Sequence, residues 1–216
     1  MDAVIKWEYE NRAKEIVEIL NHHMFDAKYA ESSEAAKQMV EEMIPEGAKI
    51  AVGGSVTLNE TGILADVIRD PKYNFIDRYN AGSYERMLDL YREGFTSDVF
   101  VCSANAVTKE GQIVSIDCTG NRVASMIFGP KKVIVVVGVN KVVDTLEDGI
   151  KRCKKVAPLN ARRLPHKGTA CFEDGICRRE LCRARDRVCN NIGIVDGCYY
   201  TPGRISVIVV PEVLGY

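Results

Sequence analysis

The feature that most constrains the fold is the uninterrupted apolar run VIVVV, from Val133 to Val137. A strand with one face in water alternates polar and apolar residues, whereas a parallel strand covered by helices on both faces is apolar throughout. The run therefore predicts a strand in the middle of a parallel sheet. Other strand patterns alternate with helical patterns along the chain, so we predict an α/β fold, a mostly parallel sheet with helices on both faces.

The remaining patterns are consistent with one domain. At 216 residues, the chain is long enough to bury a sizeable core without a second domain. A helix is predicted from Asp144 to Val156, and Pro158 is expected to end it because proline disrupts a helix interior. The predicted segments are two N-terminal helices (1–45), an α/β core (46–160), a cysteine-rich insertion (161–190) and two closing strands (191–216).

Composition limits the partners and the location of the chain. Its 29 basic and 30 acidic residues nearly balance, which argues against nucleic acid as the main partner. No apolar run approaches the ~20 residues of a membrane-spanning helix, and the N-terminal MDAVIKWEYE is too charged for a signal peptide. We therefore expect a cytoplasmic protein that does not bind membranes, with its eight cysteines reduced.

A glycine turn follows the strand predicted from Lys49 to Val52. Gly53-Gly54-Ser55 would present backbone N–H groups at the start of a helix, where the helix dipole favours an anion. The same turn could equally serve only to connect strand and helix, because glycine is common in tight turns. Thr57 and Glu60 have the spacing of a capping box and are expected beside the ligand as structural caps.

Polar residues also follow strands further along the chain, at Asn105 and from Asp117 to Arg122. In open α/β sheets, ligands bind beyond the carboxyl ends of the strands. Arg122 could bind a carboxylate or phosphate bidentately, and Asp117 could orient that ligand or act as a base. Alternatively, Asp117 and Asn121 cap a short helix and Arg122 lies on its solvated face.

Three stretches of the sequence resemble the LUD-domain family of lactate utilization proteins. They are VGGSVTLNETG, SANAVTKEGQIVSIDCTGNRVASMIFGPKKVIVVVGVNKVV and KRCKKVAPLNARRL, and the resemblance covers the chain from about residue 10 to its end. It implies a NagB/RpiA/CoA-transferase-like fold, that of the sugar-phosphate isomerases and CoA transferases. Carried over motif by motif, it implies a ligand site surrounded by Gly53, Gly54, Ser55, Asn105, Asp117, Gly120, Asn121, Arg122, Gly138, Asn140 and Lys141.

The resemblance also implies a part in the oxidation of lactate to pyruvate, in which some relatives work beside iron–sulfur partner subunits. Two features depart from the family pattern. Cys118 stands where relatives more usually have a small residue such as glycine, and its thiol could narrow the pocket. The sequence also lacks the close-spaced cysteine run of a ferredoxin-like cluster, so the chain is not expected to be the electron-transfer member of such a system.

Four cysteines, Cys171, Cys177, Cys182 and Cys189, lie within nineteen residues. Thiolates on a segment with little apolar periodicity can converge on a zinc ion or an iron–sulfur cluster, although this spacing matches neither a zinc ribbon nor a ferredoxin. A disulfide or free thiols are the alternatives. His166 is a lone loop histidine and is not expected to be an additional ligand.

Positive charge is concentrated in one segment, because residues 151–189 carry twelve Lys or Arg against four Asp or Glu. This local excess suits an acidic partner or an anionic substrate, or it compensates thiolate charge on a solvated surface. The leading hypothesis is a protein that binds a small anionic metabolite and contributes to the oxidation of lactate or a related 2-hydroxy acid. The alternatives are a transferase or isomerase acting on a CoA thioester or sugar phosphate, and a non-catalytic metal-binding module that docks a redox partner. An oligomer is compatible with all three.

Overall fold

A computed structural model describes residues 2–164, 167–178, 182–185 and 187–216. Its strands are β1 (Asp26–Tyr29), β2 (Lys49–Val52), β3 (Asn74–Phe75), β4 (Val99–Cys102), β5 (Ala106–Thr108), β6 (Ile113–Asp117), β7 (Lys132–Gly138), β8 (Val142–Val143), β9 (Asn191–Val195) and β10 (Ile205–Val210). Six of them form a parallel sheet in the order β1-β10-β7-β4-β2-β3. The predicted α/β fold is therefore confirmed.

The helices are α1 (Ala3–His22), α2 (Ser33–Glu42), α3 (Val56–Glu60), α4 (Tyr84–Gly94), α5 (Asn121–Ile127), α6 (Leu146–Arg163) and α7 (Cys171–Asp174), with a π-helical turn at Ile63–Ile68 and 3-10 turns at Arg78–Asn80 and Val139–Lys141. Ser32, Ser83 and Thr145 cap α2, α4 and α6 by accepting a backbone N–H bond. Over the described residues, no helix is both long enough and apolar enough to cross a membrane.

Strand β7 lies between β10 and β4, in the middle of the sheet as predicted. Its successive side chains enter two separate cores. Val135 packs in the core that contains Leu20 of α1, whereas Val136 packs in the core that contains Val40 of α2. Because the two faces of the strand are covered by different helices, its residues must be apolar without alternation.

A smaller sheet, in the order β8-β5-β6-β9, lies beside the main one. Strands β5 and β6 form an antiparallel hairpin whose turn contains Gly111 at a φ of 89°. The sequence Lys109-Glu110-Gly111 is typical of a turn and predicts this connection. Strand β9 pairs antiparallel with β6, so the two predicted closing strands lie in different sheets.

The structure differs from the sequence predictions at two elements. Strand β1, which was not predicted, pairs with β10 at the sheet edge. Helix α6 does not end before Pro158 but continues to Arg163. Ala157, Pro158 and Ala161 are all buried, and this packing offsets the hydrogen bond that proline removes.

The order of the strands determines where a ligand can bind. From β2 the chain moves outward to β3, returns past β2 to β4, and then continues in the opposite direction to β7 and β10. The direction therefore reverses between β2 and β4. In open α/β sheets, this reversal opens a crevice beyond the carboxyl ends of the two strands.

Candidate functional site

A narrow cleft lies at that position, and its enclosed volume is only about 20 Å³. This is room for little more than one water molecule, so a larger ligand has to displace the side chains around the cleft. Six of the predicted site residues line it: Gly54, Ser55, Thr57, Asn105, Arg122 and Lys141. The other lining residues are Val56, Ser103, Ala104, Asn160, Arg163 and Tyr216.

Gly53 supports the cleft from behind by allowing close packing. Its N–H donates to the Val101 carbonyl at 3.0 Å, so it belongs to the sheet and is not free for a ligand. A Cβ on Gly53 would lie 3.0 Å from the Cβ of Cys102 and 3.1 Å from the Cδ of Arg122. The following helix, α3, has only five residues, so the dipole expected there contributes little. The glycine is required chiefly because Arg122 passes beside the backbone.

The predicted capping box at the start of α3 was wrong. The N-cap is Ser55, whose Oγ accepts the Leu58 N–H at 3.2 Å. Thr57 is fully buried inside the helix, and the Glu60 carboxylate accepts the Gly215 N–H at 2.6 Å instead of reaching back to a cap. Thr57 is therefore free to point its hydroxyl toward the cleft.

Arg122 and Asp117 form a buried ion pair beneath the cleft. The Arg122 Nε donates to Oδ1 of Asp117 at 3.0 Å, and the other Asp117 oxygen accepts the Val123 N–H at 2.8 Å. Asp117 thus both pairs with Arg122 and caps α5. Arg122 is only 9% exposed, so the alternative that placed it on a solvated helix face was wrong. Burial lowers the pKa of Arg122, but the Asp117 carboxylate outweighs this effect and the pKa is raised.

The remaining Arg122 donors are also used inside the protein. Nη1 donates to the Ser103 carbonyl at 2.9 Å, and Nη2 donates to the Asn105 Oδ1 at 2.7 Å and to the Ile116 carbonyl at 2.9 Å. Arg122 therefore holds the end of β4 and its following loop in place. This geometry gives Asp117 and Arg122 a positioning role, and their predicted catalytic role stays a prediction.

Lys141 also lines the cleft and has a different environment. Its Nζ donates to Oγ1 of Thr57 at 2.7 Å and to Oγ of Ser103 at 2.8 Å, and the residue is 2% exposed. Burial, together with the nearby Arg152 and Arg122, lowers the pKa of Lys141 to about 7. Among the described residues, no carboxylate forms an ion pair with it.

Helix α6 contributes two residues to the lining of the cleft, Asn160 and Arg163, and neither was predicted from the sequence. The Arg163 Nη2 donates to Oδ1 of Asn160 at 3.0 Å. Residues three apart share one helix face, so both can reach the same cleft. Because Pro158 was expected to end the helix, Asn160 and Arg163 were not placed on one helix face. Ser103 was also missed, although it directly follows β4 at the ligand-binding edge of the sheet.

Three of the predicted ligand residues frame the cleft without lining it. Asn140 accepts the Leu214 N–H at 3.1 Å, and Glu60 accepts the Gly215 N–H. A Cβ on Gly138 would lie 2.4 Å from the Glu212 carbonyl, so only glycine lets the two backbones approach this closely. These residues hold the segment of Leu214 and Gly215 over Lys141.

The predicted residues at the start of α5 lie away from the cleft. Gly120 has a φ of 85° and precedes the helix, and Asn121 accepts a hydrogen bond from the Thr119 hydroxyl at 2.8 Å. Asn121 faces a separate small depression beside Arg78. Cys118 does not line the cleft either, so the expectation that its thiol narrows the pocket is not met.

The four clustered cysteines line a different cavity, largely apolar and with about 380 Å³ of empty space. The cavity is bounded by Cys171, Cys177, Cys182 and Cys189 together with side chains of α6 and Val188. Within the described ranges, however, no three His, Cys, Asp or Glu side chains converge closely enough to hold a metal ion. His166 lies outside the described residues, so its predicted lack of a ligand role is not tested.

Comparison with known proteins agrees with this architecture. The profile of the LUD domain family matches residues 13–210. A crystal structure of a DUF162 family protein from Deinococcus radiodurans superposes with a TM-score of 0.50 at 13% identity, over 95% of this chain and 98% of that chain. At this identity the similarity shows the fold alone. No curated protein matches the chain.

Proposed function

Because the chain belongs to the LUD domain family, we propose that its cleft binds the carboxylate of a small 2-hydroxy acid such as lactate, and that the protein contributes to the oxidation of this acid. The observation that carries the proposal is the unbalanced charge of the cleft. Lys141 and Arg163 line it, and the charge of Arg122 is cancelled by Asp117. Over the described residues, no Asp or Glu side chain lines the cleft. A carboxylate therefore meets the Arg163 guanidinium and the Lys141 amine, with no Asp or Glu side chain among the described lining residues to compete with it.

Oxidation of a 2-hydroxy acid to a 2-oxo acid removes two electrons and two protons. We propose that this chain binds and orients the acid and that an iron–sulfur partner protein accepts the electrons. The family resemblance supports such a partner. The polar groups that face the cleft, Ser103, Thr57 and Asn160, supply the hydrogen-bond partners that the hydroxyl of the acid requires.

The transferase or isomerase alternative has less support. It requires a carboxylate in the pocket, and the candidates were Asp117 and Glu60. Both oxygens of Asp117 are engaged, by Arg122 and by the Val123 N–H, and Glu60 holds Gly215. Neither residue lines the cleft.

Calorimetric titration with lactate and with pyruvate tests the proposal directly. Arg163→Gln removes a cation from the mouth of the cleft and should weaken binding about tenfold, which corresponds to ~1.4 kcal/mol. The matched control is Arg162→Gln. The neighbouring Arg162 stacks on Phe172 and points toward the cysteine-rich segment, so its loss should leave the affinity unchanged. Equal effects of the two substitutions, or no binding by the unmodified chain, would contradict the proposed site.

The cysteine cavity carries a separate proposal, that Cys171, Cys177, Cys182 and Cys189 bind zinc or an iron–sulfur cluster. In its favour, four soft thiol donors surround one enclosed apolar space. Against it, the described donors do not converge, so the segment would have to close around the metal. Anaerobic purification followed by metal analysis and an absorption spectrum decides the matter. Stoichiometric zinc or visible charge-transfer bands would support the site, and metal-free protein would overturn it.

A further inference from the structure

The most unusual group in the molecule is the amine of Lys141. It is buried between two hydroxyl groups, those of Thr57 and Ser103, at 2.7 and 2.8 Å. The segment that covers it approaches closely, since a Cβ on Gly215 would lie 3.5 Å from Nζ. The residue nevertheless belongs to the lining of the cleft.

Its surroundings favour the neutral amine. Burial is the main cause, and the guanidinium groups of Arg152 and Arg122 act in the same direction, so the pKa falls to about 7. The Glu60 carboxylate opposes this shift, because it attracts the charged amine, but it is itself engaged by the Gly215 N–H. A lysine that is desolvated beside other cations is a nucleophile at neutral pH.

A purely structural role does not explain this arrangement. The space between Thr57 and Ser103 could be filled by an apolar side chain of similar length without the cost of burying an amine. Neither hydroxyl depends on the lysine for a partner, because Thr57 also donates to the Leu214 carbonyl at 3.3 Å and Ser103 to the Ala104 carbonyl at 3.4 Å.

We propose that Lys141 is a carbonyl-reactive amine that forms an imine with a small 2-oxo acid bound in the cleft. This inference rests on the proposed function, because it takes the 2-oxo product of the same acid as the ligand. The carboxylate of the ligand faces Arg163, and its carbonyl carbon faces Nζ. The site thereby recognises both functional groups of a 2-oxo acid.

The chemistry balances without an oxidant. The nitrogen lone pair attacks the carbonyl carbon, the C–N bond forms, and the carbonyl π bond breaks to give a carbinolamine. The C–O bond then breaks and the oxygen leaves as water. Both protons lost from the neutral amine end on that water, and the hydroxyls of Ser103 and Thr57, which contact Nζ, relay them.

Borohydride trapping tests this step on the full chain. The protein is incubated with pyruvate and sodium borohydride, and the product is mapped by peptide mass spectrometry. We expect a reduced pyruvate adduct on Lys141 in stoichiometric amount, and none when lactate replaces pyruvate. Lys141→Met should abolish the adduct, whereas Lys131→Met, which removes a highly exposed lysine, should not change it. Absence of label from Lys141 in the unmodified chain overturns the proposal whether or not the variant folds.

The pH dependence gives a second readout. Trapping at Lys141 should rise with pH and level off above about 7, whereas an ordinary exposed lysine continues to gain reactivity toward pH ~10.4. Calorimetry with pyruvate separates the two proposals. Pyruvate binding without trapping would overturn the imine and leave the proposed function intact, and absence of binding would overturn both.

Discussion

Two buried basic residues, Arg122 and Lys141, line the same cleft, and their surroundings differ in one respect. Arg122 makes four hydrogen bonds inside the protein, one of them to its carboxylate partner, whereas among the described residues Lys141 donates to two hydroxyls. Four of the five guanidinium N–H groups of Arg122 are bound inside the protein, which fixes this cation in place. A buried amine without a charge partner is held at a cost in stability, and such a cost is characteristic of functional sites. Arg122 therefore has a structural role, whereas Lys141 is the residue suited to chemistry.

The comparison predicts its largest effect at Arg122. Arg122→Met leaves the Asp117 carboxylate buried without its cation and should lower the free energy of unfolding by about 3–5 kcal/mol. Urea unfolding of the variant measures this loss. The double variant Asp117→Asn, Arg122→Met removes the unpaired charge and should recover part of the stability. A single variant as stable as the original chain would contradict the structural role of this pair.

Lys141→Met should instead raise the free energy of unfolding at neutral and acidic pH. The folded-state pKa of Lys141, about 7, lies below its usual value of 10.5, so the unfolded chain binds more protons between these two values. The stability of the original chain therefore rises with pH through this window, and below about pH 7 the buried charge costs the most. After allowance for two lost hydrogen bonds, the variant should gain about 3 kcal/mol at pH 6.

That gain should disappear as the pH rises and become a small loss near pH 10, where Lys141 is neutral in the folded state and the loss of its two hydrogen bonds dominates. Urea unfolding at the two pH values measures it, with Lys131→Met as the exposed control. A loss of stability at pH 6 would show that the amine is structural.

The different surroundings of Arg122 and Lys141 also explain which parts of the site could be predicted from the sequence. The apolar run of β7 and the glycine turn predict the sheet and its ligand-binding edge, because strand burial and tight turns are local in the sequence. The partners of Arg122 are not local. They come from the loop after β4 and from β6, and only the folded chain brings Ser103, Asn105 and Asp117 together.

Lys141 was selected only through the family resemblance, because nothing in its neighbours indicates burial of a charged residue. Its hydroxyl partners lie 84 and 38 positions away. Arg163 was missed for a different reason, since the rule that proline ends a helix gave way to the burial of Ala157 and Ala161. Helix propensity is a weak constraint when tertiary packing opposes it.

The smallest predicted effect concerns the two glycines of the turn, which the sequence presents as equivalent. A Cβ on Gly53 would press against the Cβ of Cys102 in the sheet and against the Arg122 side chain, neither of which can move freely. A Cβ on Gly54 would meet only the end of the Arg78 side chain, at 2.7 Å. Gly53→Ala should therefore lower the free energy of unfolding by about 1–2 kcal/mol, and Gly54→Ala by less than ~0.5 kcal/mol, because the Arg78 guanidinium can turn away. Paired urea unfolding curves measure the difference. Equal losses would mean that Gly53 is required for the turn and not for the packing of Arg122.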